Sequence, residues 1–308
     1  MRYEIGPNES INETLTRVKD NDELFLKPGI YKEKVEFFNN NIKIIGADKE
    51  NTIITNNDFY HKIMPDFNEC NTFRTYTMYV GGDNVAIENI TIMNSCDNAS
   101  KYGQAVALHV EGTNFKITNS IIKSAQDTLF TGPLPKDLIE RHQGFLPKSH
   151  LKGNKSIQIY DRCKIIGNVD FIFGGAYALF INCEIVSLAN SSRGGGYLTA
   201  PSHEESDKFG YLFYKCNLIA DQNAEKVYLG RPWRDYGTCA FIMCNLGKHI
   251  NPLGWNKWNK TNRDKTARFY EYSENVDLSQ REKWSQILNK DEALKYVDDF
   301  FKFINYKG

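Results

Sequence analysis

The chain has no surplus of charge of either sign: 38 Lys and Arg stand against 38 Asp and Glu in 308 residues. Without a net field, nothing general draws it to nucleic acid or a membrane surface, so any charged partner must be met locally. Long hydrophobic runs are missing too. Asn, Asp and Lys interrupt every apolar stretch, so no membrane-spanning helix is expected. The opening MRYEIGPNESINETL lacks the basic and apolar regions of a secretory signal. As it stands the chain reads as cytoplasmic, or as secreted if a signal has been removed upstream. No CxxC pair and no Cys/His cluster at zinc spacing occurs, and the seven cysteines, an odd number, leave at least one unpaired. Asn-Gly and Asp-Gly, the dipeptides of tight hairpins, are absent, which argues against a hairpin-built sandwich or Greek-key barrel.

What is present is a loose repeat. ENITI at Glu88, TNSII at Thr118, DRCKI at Asp161, INCEI at Ile181, YKCNL at Tyr214 and IMCNL at Ile242 share one form. Each has a variable residue, then a small or aliphatic one, and an aliphatic one two places on. Copies recur at roughly 20 to 40 residues, a range that suits a solenoid with variable loops. Short β-branched or aromatic stretches such as SIQIY and YALFI lie beside them, and helical periodicity is absent from Asn41 to about Asn245. The expectation is an all-β, right-handed parallel β-helix with stacked small and aliphatic rows inside. In it, Cys163, Cys183, Cys216 and Cys244 are small buried thiols rather than bridges or ligands. Helices are expected at about 9–20, capped by SINE, and at about 279–304, capped by SQRE, covering the two ends of the coil. With no linker or low-complexity segment, residues 1–308 read as one domain.

Residues 168–175 read NVDFIFGG and place Asp170 inside an apolar run. A carboxylate so placed must be paired, hydrogen-bonded or protonated. Taken alone, it reads as an aspartate capping a turn. Three further segments change that reading: GQAVALHV from Gly103, SAQDTLF from Ser124 and YLGRPWRD from Tyr228. Singly, Gln104 serves a turn, Asp127 caps, Arg231 belongs to an extended loop and Trp233 fills a core. Together they supply what acyl transfer from an ester needs. Two carboxylates in unlike environments divide into nucleophile and acid. Amide donors hold an oxyanion, and an arginine keeps one carboxylate charged and in place.

With GQAVAL, QDTLF, NVDFIFG, YLGRPWRD and PLGWNKW in this order, the chain resembles the pectin methylesterases (pectinesterases), in a bacterial-type form. The likeness runs from about Ile42 to Tyr272, and LKPGIYKEKVEF near the start looks like the family's opening strand. The resemblance implies Asp170 as nucleophile, Asp127 as general acid and base, and Gln104 and Gln126 as oxyanion donors. Arg231 would position Asp170, with Trp233, Phe130, Phe173 and Arg234 contacting the sugar chain. It implies a substrate of pectin or methylated oligogalacturonides and no metal or cofactor; the balanced charge and broken apolar runs argue for no nucleic acid and no membrane partner, and a monomer is expected. His109, Asn168 and the long stretch 131–159, with Lys136, Arg141, Lys148 and Lys152, depart from the family pattern. That stretch reads either as a cleft-side loop meeting anionic sugar units or as a solvated loop. The alternatives are a polygalacturonase or pectate lyase on the same fold, or a non-catalytic saccharide-binding β-helix. The first two lack their Asn-Thr-Asp, Gly-His-Gly or clustered acidic signatures here, and the third would be expected to have lost one of the acids or glutamines.

Overall fold

Strands of two to six residues separated by turns wind the chain into a parallel β-helix. The computed structural model describes residues 1–65, 68–189, 195–221, 223–258 and 262–307. Among these residues three sheets, of eleven, eight and seven strands, share one long axis. Each strand pairs in parallel with its counterpart one coil away, as Ile117 does with Ile87 on one side and Tyr160 on the other.

The repeat marks one corner of this coil. Its second residue, at Asn89, Asn119, Arg162, Asn182, Lys215 and Met243, takes φ between 46° and 57° and turns the chain from the first sheet to the second. The third residue then points inward. There Cys163, Cys183, Cys216 and Cys244 form a ladder of free, buried thiols. Each Sγ donates to a main-chain carbonyl of the preceding coil, at Ile117, Tyr160, Phe180 and Phe213, at 3.2–3.4 Å. A small side chain with a weak donor suits this place because the corner leaves a carbonyl there to satisfy. A second inner row is aromatic: Tyr160, Phe180, Phe213 and Phe241 stack nearly parallel, with centroids 4.3–4.6 Å apart.

The ends differ from the expected helices. The first helix is Ile11–Leu15, not 9–20. Ser10 accepts from the Glu13 amide at 3.1 Å, and Glu33 receives the Ile11 amide at 2.9 Å and the Ser10 hydroxyl at 2.8 Å. The helix stops early because the Thr16 hydroxyl and the Arg17 amide turn back to the Glu13 and Thr14 carbonyls. The last helix is Lys290–Phe303, not 279–304, and its capping box is Asn289 with Glu292 rather than Ser279 with Glu282. Upstream, the Asp277 carboxylate takes both the amide and the hydroxyl of Ser279, and Gln286–Ile287 adds a strand to the first sheet. This helix does not cover the end of the coil. Ala293, Val297 and Phe300 lie against Leu179, Leu212, Ala240 and Ile242 on the sheet's outer face. At the last coils Trp255, Phe269 and Trp284 pack ring to ring. Among the described residues no helix is long and apolar enough to cross a membrane.

Candidate active site

The site lies on the outer face of the seven-stranded sheet. Side chains alternate along its strands. Met78, Leu108, Leu129 and Ile172 enter the core, while Tyr79, His109, Phe130 and Phe173 face outward in register across successive coils. At the entry to these strands Gln126 bridges Gln104 on one side and Val169 on the other, both in parallel. Asp127 follows Gln126 and Asp170 follows Val169, so the two acids leave equivalent points of neighbouring coils, about 4.8 Å apart along the axis. Both have left-handed backbones, φ 60° at Asp127 and 47° at Asp170. At Asp170 the register against Tyr197–Pro201 slips between Val169 and Ile172. A bulge of this kind re-aims a side chain. Asp127 and Asp170 are only 8% and 7% exposed, yet both line a cavity of about 390 Å³.

The two carboxyl groups have unlike surroundings. Arg231 grips Asp170 with both arms of its fork, Nε to Oδ1 at 2.9 Å and an Nη to Oδ2 at 2.5 Å. Its guanidinium is sandwiched between the rings of Tyr197 and Trp258, each 3.9 Å away. Pairing with a permanent cation favours the ionised form of a carboxyl. Asp127 is pushed well above the usual carboxyl range, first by burial and then by the negative charge of Asp170; Arg231 and a hydrogen bond from Gln126 oppose this. An acid and a carboxylate therefore stand side by side.

Gln104, Gln126, Phe173 and Trp233 line the same cavity, and the last two rings meet edge to face at 5.7 Å. Phe130 does not line it. It is wholly buried behind, between Phe173 at 5.0 Å and Phe73 at 5.4 Å, and props the floor. Arg234 also lies outside this space. Its guanidinium is engaged by Asp137 at 2.7 and 3.0 Å and by the Trp233 carbonyl at 2.8 Å, beside a second cavity of about 580 Å³. His109, beneath the floor, is a buried neutral partner of Glu111 at 3.1 Å. Burial drives the imidazole's pKa down and that of Glu111 up to about 8. Motif reading passed over Tyr197, Trp258, Phe73 and Leu138. Trp258 closes PLGWNKW and so carried a signal; Tyr197, Phe73 and Leu138 lie outside every motif and carried none. Among the described residues no group of three His, Cys, Asp or Glu is placed to hold a metal ion.

The Pectinesterase family matches residues 3–134 and 149–305. Pectinesterase 31 of Arabidopsis thaliana is 31% identical over 288 residues, covering 90% of this chain and 81% of its own. Probable pectinesterase/pectinesterase inhibitor 42 of the same plant is 31% identical over 85% of this chain, which spans about half, 46%, of that longer protein. Among solved structures, pectin methylesterase from carrot superposes with a TM-score of 0.78 at 21% identity, covering 99% of this chain and 96% of that one. The enzyme from Yersinia enterocolitica gives 0.76 at 25%, covering 93% and 95%. A pectin methylesterase in complex with a hexasaccharide gives 0.77 at 22%, covering 97% and 93%. Fold and relatives together define a carboxylic ester hydrolase built on a right-handed parallel β-helix. The chain belongs to the pectinesterase family.

Proposed function

We propose that the protein hydrolyses the methyl esters of galacturonate units in pectin or methylated oligogalacturonides and releases methanol. The observation that carries this reading is the unequal pair: Asp170 clamped by Arg231, and Asp127 raised by burial one coil away. The hexasaccharide bound by a pectin methylesterase of similar fold supports a saccharide ligand.

The Asp170 carboxylate attacks the ester carbonyl carbon, and the amides of Gln104 and Gln126 receive the oxyanion that forms. One such donor, preorganised in a partly buried site, lowers the barrier by about 3 kcal/mol. Collapse breaks the bond to methoxide, which takes the Asp127 proton and departs as methanol, leaving an anhydride on Asp170. Asp127, now a carboxylate, takes a proton from water as that water attacks the galacturonyl carbon. Asp170 leaves as its carboxylate, Asp127 is protonated again, and the product is the free uronic acid. Arg231 keeps both Asp170 oxygens oriented, and the two flanking rings keep Arg231 in place.

The test is Asp170→Asn assayed for methanol and for new reducing ends on methylated pectin. Methanol release should fall by at least ~10³-fold with thermal unfolding little changed. Wild-type turnover in the variant, or chain shortening in place of methanol release by the native enzyme, would defeat the proposal.

A further inference from the structure

We infer that residues 135–148, held by the Asp137–Arg234 ion pair, wall off one side of the groove and restrict the enzyme to chain ends and short oligomers. This rests on the ester-hydrolase reading and adds the substrate class. The starting observation is burial in the wrong place. Tyr79, His109 and Phe130 point out of the coil, where solvent or substrate would meet them, yet all three are 0% exposed. Leu134, Leu138, Phe145, Leu146 and Leu151 cover that row as one apolar cluster with Phe73.

Both ends of the covering segment are fastened. Just past the far end His150 stacks on Tyr79, with centroids 4.1 Å apart, and lies 3.7 Å from the Glu36 carboxylate. Midway, the Asn71 side-chain amide donates to the Phe145 carbonyl at 2.9 Å. At the near end the helix Lys136–Arg141 brings Asp137 to Arg234. These two residues follow the strands Leu129–Thr131 and Tyr228–Gly230, and two other strands of the sheet lie between those. The ion pair therefore spans the sheet beside the catalytic cavity. Leu138 and Trp233 line the 390 Å³ space, while Asp137 and Arg234 line the 580 Å³ one, so the pair and its helix form the partition. At about 390 Å³ the space is near the low end of the ~300–1,000 Å³ of ligand pockets, room for a few sugar rings, and the partition stands where a longer chain would have to continue. Residues 135–148 are also the stretch that the family match skips, so the wall is an addition to the shared frame.

The experiment compares kcat/KM for methanol release from short methylated oligogalacturonides and from highly methylated polymeric pectin. It uses the native protein, a variant with 135–148 replaced by a short Gly/Ser linker, and Asp137→Asn, which unties the partition without removing the segment. The native protein should favour oligomers by about tenfold or more, and both variants should raise the polymer-to-oligomer ratio, the linker variant by about tenfold and Asp137→Asn by about threefold. Equal native efficiencies, or a ratio unmoved by Asp137→Asn and by the linker, would overturn the wall and leave the esterase standing. No methanol from either substrate would overturn both.

Discussion

The left-handed backbone recurs along this chain, and in two regions of the molecule it does different work. At the corner between the first two sheets, six successive coils carry it at Asn89, Asn119, Arg162, Asn182, Lys215 and Met243. At the cleft it appears on neighbouring coils at Asp127 and Asp170. The corner accepts amide, cationic and thioether side chains alike, because its only requirement is the change of direction. Asn is best tolerated there, and the Asn119 side chain donates to Asn89 at 2.7 Å, easing a conformation that costs other L-residues about 1–2 kcal/mol. At the cleft both positions are Asp, and both carboxyl groups, though buried, face the 390 Å³ space. A positive φ alone is thus architecture. It becomes a site where the side chain it aims is ionisable, buried and facing a cavity.

The largest expected way to break this comparison is at the clamp. Arg231→Lys keeps a positive charge but loses the fork and the flat surface held between Tyr197 and Trp258. Methanol release should fall about 10²-fold with little change in stability; an unaltered kcat would mean that charge alone suffices. Gln126→Ala should slow turnover by a similar 10²–10³-fold and also move the pH profile. Gln126 favours the charged form of Asp127, so its loss raises that carboxyl further and shifts the alkaline limb, where the acid's proton is lost, to higher pH. A limb that moves down or stays put would detach Asp127 from the acid role.

Below the cleft, Glu111 tests whether a buried acid without an Arg is a cost rather than a tool. Its pKa is raised from 4.5 to about 8, so its contribution to stability is complete below about 4.5 and is lost as pH rises through about 8. Glu111→Gln should flatten the decline of Tm across that window, which unfolding at several pH values would reveal. The smallest effect is expected at the corner. Lys215→Asn, at an exposed position with φ 54°, should stabilise by about 0.5–1 kcal/mol without touching methanol release. A loss of stability there would show that the Lys215 contact with the Tyr214 ring, 5.0 Å away, outweighs backbone relief.

The coil was legible because its demand is local and repeated. Each corner of the repeat is followed by an inward small or aliphatic residue, and Cys163, Cys183, Cys216 and Cys244 report it one by one. The left-handed role of the corner residue was only half legible: Asn89, Asn119 and Asn182 suit it, while Arg162, Lys215 and Met243 hide it. The first helix was expected to run on because nothing in its pattern announces the bonds from Thr16 and Arg17 back to Glu13 and Thr14 that end it. Phe130 matches its motif as well as Phe173 does, and it is put out of reach by side chains from other segments, Phe73 and the cluster around Leu134 and Leu146. Arg234 likewise reads as a free cation until Asp137 comes across the sheet to meet it.

The amino-acid order alone therefore determined the short parallel strands, the stacked inner rows and the types of side chain offered at the cleft, because strand period and motif chemistry act over a few neighbouring residues. Tertiary structure decided which carboxyl is clamped and which is pushed toward its neutral form. It also decided which aromatics floor the cavity and which hold Arg231, and how far the groove extends. Those outcomes depend on burial and on charges brought together from separate coils, and such long-range terms are invisible along the chain.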